Sequence, residues 1–313
     1  MMMMMQKINY WLSEHPKILK FRWSQTQSWG STWSFLICAI VIYIVAATTI
    51  HLLLLLLIGR RNRRPIPLGP IPAIHSLAMT LISTVIFLGM LLSAAAEIQD
   101  TRWFLRRTNT TPFQWLLCFP RGIRPSGRVF FWSYVFYLSR LLHLFRTFFT
   151  IFQRRRLCFI HLFNQSIMIL ESFLWLEFSQ SFQVLAILIT TPLYSVIYGY
   201  QFWTAIGLPE AGFPLVVYCE VLMLVLNLVS HVGVLLLHFL KGGGCNGFGA
   251  WTCNAVLNGI VLLLFLKFYI KVHLRKNRVV WGAVVGSSDS SQRKTPASDT
   301  QVDEVPALKE KLS

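Results

Sequence analysis

Charged residues are scarce in this sequence, at 13% of its 313 positions, against roughly 25% in a typical soluble domain. Hydrophobic residues make up 55% of the chain, which is too many for a protein whose main solvent is water. A bilayer core is roughly 30 Å thick and needs about 20 apolar residues in helical form. The composition therefore predicts a polytopic, all-α membrane protein.

The sequence also lacks the patterns that hold metals. Its six cysteines are mostly isolated and show no zinc spacing, and its histidines form none of the short-spaced pairs typical of integral-membrane desaturases. We therefore expect no metal site and no cofactor. Cys118 and Cys245 fall near the same membrane face, so a lumenal disulfide between them is conceivable.

Acidic residues are too few to balance the basic ones, and the net charge is +17. The Lys and Arg residues are spread over loops and tails, with no soluble domain to organise them into a nucleic-acid surface. Anionic lipid headgroups explain this charge better, so we expect no nucleic-acid partner.

Seven apolar segments are long enough to cross a bilayer as helices. The predicted spans cover residues 33–58, 71–96, 129–152, 157–178, 181–206, 213–240 and 250–272. We expect them to form one membrane domain, residues 33–276, around a central cavity with polar and apolar parts. Residues 1–32 are a predicted lumenal segment, and residues 277–313, rich in Ser, Thr, Asp, Lys and Pro, are a predicted disordered cytosolic tail.

The orientation follows from basic clusters that lie directly next to helix ends and favour a cytosolic C-terminus. Lys309 and Lys311, fifth and third from the end, resemble a dilysine retrieval signal, which is read in the cytosol. Together these features predict a multi-pass protein of the endoplasmic reticulum membrane. Asn109 begins a glycosylation sequon in a predicted lumenal loop, and its modification stays open.

Polar residues inside spans three to six follow helical spacing, which places them in stripes on one face of each helix. The stripes contain Arg140, His143 and Thr147; His161, Asn164, Gln165, Met168 and Ser172; Thr190, Thr191, Tyr194, Tyr198 and Gln201; and Glu220, Asn227, His231 and His238. A single polar residue often only joins helices by hydrogen bonds. Several ionisable side chains at membrane depth, however, typically mark a substrate or proton route, and these stripes could converge on a buried cavity.

The third and fourth spans carry motifs that resemble those of the fatty-acid elongase (ELO) family. Residues 140–147 stand where the family has K-x-x-E-x-x-D-T, Arg154 to Arg156 where it has a basic turn, and residues 160–165 where it has L-H-x-x-H-H. Tyr198-Gly199-Tyr200 is similar to its M-Y-x-Y segment, and residues 265–276 to its closing F-Y-x-x-x-Y-x-K stretch. The similarity covers all seven spans.

The resemblance implies a seven-helix protein of the endoplasmic reticulum that condenses a long-chain acyl-CoA with malonyl-CoA. Carbon dioxide is lost, and the product is a 3-oxoacyl-CoA lengthened by two carbons. Acyl-CoA and malonyl-CoA would be substrates, with membrane lipid and other elongation-cycle enzymes as partners. An apolar tunnel would hold the acyl chain, and Arg154, Arg155 and Arg156 would receive the CoA phosphates.

The chain departs from the family at the histidine box. Asn164 and Gln165 stand at the second and third motif histidines, Tyr194 aligns with a later one, and His143 and Arg146 occupy acid positions. The altered motifs look like those of a plant-type elongase-like branch. His161 is the histidine of the box that this chain retains.

Two interpretations follow. In the first, the protein is a very-long-chain 3-oxoacyl-CoA synthase with a rebuilt site, an interpretation favoured by polar stripes that are costly to keep. Its catalytic residues would be His161 as orienting group or base, Tyr194 and Tyr198 as hydroxyl donors, and Asn164 and Gln165 polarising the thioester or enolate oxygen. Its substrate-binding residues would be Arg140, His143, Thr147, His231 and the three arginines at 154–156.

In the second interpretation, catalysis is lost. The chain then serves as a scaffold or regulator of the elongation cycle or of sphingolipid synthesis. A membrane transporter is a more distant alternative. Arg140 and Glu220 could act as counter-charges there, but the sequence lacks paired helix breaks in two repeated halves.

Overall fold

Helices form the secondary structure of the described residues, apart from one isolated bridge between Arg22 and Ser126. The computed structural model describes residues 2–58, 66–103, 111–153, 159–208, 213–240, 244–264 and 266–267. The α-helices are α1 (Met2–Asn9), α2 (Pro16–Leu19), α3 (Trp33–Ile58), α4 (Ile71–Asp100), α5 (Pro112–Leu117), α6 (Arg128–His143), α7 (Phe145–Phe152), α8 (Phe159–Glu177), α9 (Gln183–Ala205), α10 (Phe213–Leu240) and α11 (Phe248–Leu264). A π-helical turn, Tyr10–Glu14, joins α1 to α2.

Six helical segments of the described chain are long and apolar enough to cross a membrane, by length and composition. They are Trp33–Leu57, Ile71–Asp100, Arg128–Phe152, Phe159–Glu177, Gln183–Ala205 and Tyr218–Leu240. These agree with the first six predicted spans to within a few residues. The seventh predicted span is not confirmed, because α11 is shorter and most of the remainder of residues 250–272 lies outside the described residues.

By its contacts the chain divides into two units, residues 1–257 and residues 258–313. Helices α1 to α10 and the first turns of α11 belong to the first unit. Of the second unit, the structure describes the helical residues 258–264 and 266–267. All the contacts below lie within the first unit.

Helix α6 is surrounded by other helices within the first unit. It packs against α4, α8 and α9, while α4 also packs along α9, α8 contacts α3, and α9 contacts α10. Polar side chains on α6 can therefore face protein instead of lipid, which is the condition for keeping ionisable groups in a span.

The close approach of α4 and α6 depends on Gly89. A Cβ atom at this position would lie 2.1 Å from Cε2 of Trp132, so a glycine is needed for the indole to fit. The indole Nε1 of Trp132 in turn donates to the carbonyl of Leu12 at 2.8 Å. The same residue therefore ties the N-terminal segment to the helices.

Cys118 and Cys245, whose pairing the sequence left open, form a disulfide with their Cα atoms 5.0 Å apart. Around it, the amide of Asn246 donates to the carbonyl of Phe119 at 2.9 Å, and the hydroxyl of Ser181 donates to the carbonyl of Asn246 at 2.8 Å. Three loops thus meet at one end of the spans. We call it the disulfide end, defined by Cys118 and Cys245.

Candidate functional site

The third span is interrupted in the middle of its polar stripe. Helix α6 ends at His143 and α7 begins at Phe145. At the break, the amide of Leu144 donates to the carbonyl of Leu141 at 3.3 Å and the amide of Thr147 donates to Leu144 at 3.0 Å. In both bonds the amide donates to the carbonyl three residues earlier, as in a 3₁₀-helix. Such bonds in the middle of an α-helix often mark a functional hinge or local strain.

His75 of α4 binds next to this break. Its Nε2 lies 3.1 Å from the carbonyl oxygen of Leu142, and because a carbonyl only accepts, Nε2 carries the proton. Its ring also contacts the ring of Tyr198, with centroids 6.2 Å apart. The second span thus contributes to the site, although sequence reasoning did not select any residue from it.

His143 and Tyr198 form the buried centre of the site. The Nδ1 atom of His143 lies 2.5 Å from the hydroxyl of Tyr198, and both side chains are almost fully buried. The ring of Tyr194 lies against the same imidazole, with centroids 5.2 Å apart. Nε2 of His143 is buried and has no hydrogen-bond partner among the described residues. It is therefore placed to bind a polar atom of a ligand.

Two arginines lie beside this centre. Arg140 is 3% exposed, and its Cζ atom lies 4.2 Å from the ring centroid of Phe136 and 4.5 Å from that of Tyr194. These are cation–π distances. These rings carry no formal charge, so they do not neutralise the guanidinium. An anionic group of a ligand could therefore bind next to Arg140.

Arg146 follows the helix break and contacts the fifth span. Its Cζ atom lies 5.6 Å from the ring centroid of Tyr198. With the carboxamide oxygen of Gln201 turned towards it, Arg146 donates from Nη1 at 3.2 Å and from Nη2 at 2.8 Å.

A second part of the site joins the first, third and fourth spans. The hydroxyls of Tyr43 and Thr147 lie 2.8 Å apart, and Thr147 Oγ1 lies 3.0 Å from Nε2 of His161. Tyr43 and Thr147 are fully buried, and His161 is partly buried. Thr147 lies one helical turn after His143, so the two parts are adjacent along the third span.

The remaining predicted catalytic residues lie on α8 without fixed partners. Asn164 and Gln165 are partly buried, and neither side chain forms a hydrogen bond to another described residue. The predicted substrate-binding residues Arg154, Arg155 and Arg156 lie outside the described residues, as do Lys309 and Lys311 of the predicted retrieval signal.

His231 does not join the cluster. Its ring packs between Phe182 and Trp251, with centroid distances of 4.9 and 5.7 Å, close to the disulfide end. Both ring nitrogens are buried and lack a hydrogen-bond partner among the described residues. The contacts thus bring the stripes of spans three, four and five together, while His231 of span six lies apart from them.

Tyr43 and His75 are site residues that sequence reasoning missed. Neither has a polar residue three or four positions away on its helix that would place it in a polar stripe. Tyr43 is the one tyrosine of α3. A single tyrosine in an apolar span indicates a polar contact, but the sequence does not show which residue the hydroxyl contacts.

Two of the concave regions in the described chain lie away from this cluster. One, of about 430 Å³, is an apolar groove on α3 between Val41 and Ile50. The other, of about 730 Å³, lies between residues 19–27 and the facing ends of α4 and α6. No group of three or more potential metal ligands occurs among the described residues. The central cavity and the absence of a metal site stay predictions.

The fold and the site define a polytopic α-helical membrane protein with a buried, arginine-flanked histidine and tyrosine cluster. The chain belongs to the ELO: GNS1/SUR4 family, whose model matches residues 28–280. This confirms the resemblance seen in the motifs.

Relatives of this family are similar over most of the chain. A protein of Arabidopsis thaliana named fatty acid elongase 3-like is 60% identical over 272 residues, covering 86% of this chain and 93% of that protein. Fatty acid elongase A of Dictyostelium discoideum is 23% identical over 233 residues, covering 70% of this chain and 78% of that protein. No solved structure matches the chain.

Proposed function

We propose that this protein elongates fatty acids as a very-long-chain 3-oxoacyl-CoA synthase, condensing an acyl-CoA with malonyl-CoA. The observation that carries the proposal is the contact of His143 with Tyr198 beside Arg140 and Arg146, in a family whose relatives are named fatty acid elongases. Such a cluster suits a reaction that generates negative charge away from water.

The reaction generates an anion at the reacting carbon of malonyl-CoA. Loss of carbon dioxide from the malonyl group leaves an enolate, which attacks the thioester carbonyl of the acyl-CoA. CoA leaves as a thiolate and takes up a proton. The guanidinium groups of Arg140 and Arg146 and the buried Nε2 of His143 would stabilise the enolate and the tetrahedral oxyanion.

His161, Asn164 and Gln165 would act on the acyl thioester. The two amide side chains make no hydrogen bonds to other described residues, so their N–H groups are free to polarise the carbonyl oxygen. Tyr194 and Tyr198 would orient Arg140 and His143 through the contacts given above. His231 would contact the acyl chain and not the reacting atoms, because it lies with Phe182 and Trp251.

We further propose that the protein resides in the endoplasmic reticulum membrane with a cytosolic C-terminus. A disulfide between Cys118 and Cys245 supports a lumenal position for that end, since disulfides form in oxidising compartments. Successive spans alternate in direction, so His143, His161 and Tyr198 would lie in the cytosolic half of the bilayer. There Arg154, Arg155 and Arg156 would receive CoA phosphates.

The test uses the purified full-length protein in lipid, supplied with labelled malonyl-CoA and saturated acyl-CoAs of several lengths. We expect 3-oxoacyl-CoA as the product, and we expect its loss in His143→Phe. His51→Ala is the matched control, because this histidine lies on α3 and makes no hydrogen bond to another described residue. Equal activity of His143→Phe and His51→Ala would contradict the proposed site.

The second candidate is a catalytically inactive scaffold or regulator that holds acyl-CoA or other elongation-cycle enzymes. The replacement of motif histidines by Asn164, Gln165 and Tyr194 favours it. The same experiment separates the two functions. Saturable acyl-CoA binding by the wild-type protein, without product at any chain length, would favour the scaffold.

A further inference from the structure

Tyr43, Thr147 and His161 form a linear series of polar contacts across three spans. Tyr43 is on the first span, Thr147 on the third and His161 on the fourth, so the series joins segments that are separated by 104 and 14 residues in the chain. Tyr43 is 2% exposed and Thr147 is 0% exposed. The first two hydroxyls therefore have to satisfy their hydrogen bonds within the protein.

The protons of this series can be assigned by counting donors and acceptors. The hydroxyl of Tyr43 meets one partner among the described residues, which is Thr147 Oγ1. If Tyr43 donates to Thr147, then Thr147 donates its own proton to Nε2 of His161, and both hydroxyl protons are used. Nε2 is then an acceptor, and a neutral imidazole must carry its proton on Nδ1.

The opposite direction leaves a buried donor without a partner. If Nε2–H of His161 donated to Thr147, Thr147 would donate to Tyr43, and the hydroxyl proton of Tyr43 would have no acceptor among the described residues. A buried unsatisfied donor is rarer in folded proteins than an acceptor with an unused lone pair. The donor count therefore favours the first direction.

We propose that Tyr43 is a positioning residue that acts through Thr147 to hold His161 in the tautomer protonated at Nδ1. Nδ1 has no hydrogen-bond partner among the described residues, so this N–H is available to a ligand. The identity of the ligand rests on the proposed function: its binding atom is the thioester carbonyl oxygen of the acyl-CoA. His161 is then the hydrogen-bond donor that polarises this carbonyl, and it does not remove a proton through Nε2.

Three variants and one control test the series. Tyr43→Phe and Thr147→Val remove one hydroxyl each with little change in volume, whereas Thr147→Ser retains the hydroxyl. Tyr137→Phe is the matched control, because Tyr137 is also a fully buried tyrosine with one hydrogen bond, donated to the carbonyl of Gly30 at 2.9 Å. The wild-type protein and all variants are purified full-length in lipid.

The first measurement is the tautomer, by nitrogen-15 NMR of histidine-labelled protein, with the His161 signal identified by its loss in His161→Gln. We expect a protonated Nδ1 in the wild type, Thr147→Ser and Tyr137→Phe, and a substantial Nε2-protonated population in Tyr43→Phe and Thr147→Val. A wild-type signal from protonated Nε2 would overturn the proposal. So would an unchanged tautomer in both Tyr43→Phe and Thr147→Val.

The second measurement is steady-state turnover with acyl-CoA and malonyl-CoA. Loss of one oxyanion donor typically lowers kcat by about 10² to 10³-fold. Tyr43→Phe and Thr147→Val only reduce the population of His161 protonated at Nδ1, so we expect kcat to fall by about tenfold, with a smaller change in the KM for acyl-CoA. Tyr137→Phe should stay near wild type, and Thr147→Ser, which retains the hydroxyl, should have a higher kcat than Thr147→Val. Equal kcat for Tyr43→Phe and Tyr137→Phe contradicts the positioning role. If the wild type makes no product, the proposed function fails, while the NMR measurement still decides the tautomer.

Discussion

The hydroxyl of Tyr198 lies 2.5 Å from Nδ1 of His143, and this contact joins the fifth span to the third at the buried centre of the site. A tyrosine hydroxyl can donate to an imidazole nitrogen and accept from a neighbouring cation at once. The guanidinium of Arg146 also lies near Tyr198, with its Cζ atom 5.6 Å from the centre of the tyrosine ring. The pair therefore connects a charge to an imidazole whose other nitrogen is buried and without a partner in the described chain.

Replacing Tyr198 with Phe tests this connection. The ring still fills its space, so we expect the protein to remain folded, while 3-oxoacyl-CoA formation falls by about tenfold or more because the hydroxyl that orients His143 is lost. Tyr218→Phe is the control, since Tyr218 is 72% exposed. Product formation and size-exclusion profiles are compared for both variants, and wild-type activity in Tyr198→Phe would exclude a catalytic role for this hydroxyl.

Arg140→Met separates function from stability. The guanidinium is buried in a span between Phe136 and Tyr194, and burying a charged group costs on the order of several kcal/mol in lost hydration, a cost that an apolar side chain of similar volume does not have. We expect the variant to lose product formation while its thermal midpoint in detergent stays equal or rises. Arg124→Met, at an exposed loop arginine, should change neither. A lower midpoint with normal activity would mean that Arg140 serves the fold.

Gly89→Ala should destabilise the packing of α4 on α6. A Cβ 2.1 Å from the indole of Trp132 forces the helices or the ring to move, and overpacking of this kind typically costs about 1 to 3 kcal/mol. Gly233→Ala is the matched control, because its Cβ would lie 3.5 Å from Leu117, an ordinary contact. Thermal unfolding of both variants is the measurement. Equal midpoints would contradict the close approach of the two helices.

Removal of the disulfide should lower stability without altering the chemistry. The Cys118–Cys245 bond closes a loop of 127 residues, and loss of a native disulfide typically costs about 2 to 5 kcal/mol. We expect Cys118→Ser with Cys245→Ser, or treatment with a reductant, to lower the thermal midpoint. Cys253→Ser, at an exposed free thiol, should not. If reductant has no effect on the wild type but the double variant unfolds, the two positions matter through packing instead of through the bond.

Much of the site could be predicted from sequence where polar residues repeat at helical spacing. Arg140, His143 and Thr147 lie on one face of the third span, and the structure places this face against spans two, four and five. The same reasoning assigned His231 to the site because it follows Glu220 at helical spacing. Helical spacing places two residues on the same face, but it does not place them at the same depth, and His231 meets Phe182 and Trp251 instead.

The amino-acid sequence by itself determined that the chain is an all-helical membrane protein and where its first six spans lie. Hydropathy suffices for this, because in a bilayer each segment must satisfy its own backbone hydrogen bonds within about 20 residues. The tertiary structure decided which polar side chains meet. The contact of Tyr43 with Thr147 crosses 104 residues, and it depends on the packing of separate spans, which local periodicity does not encode.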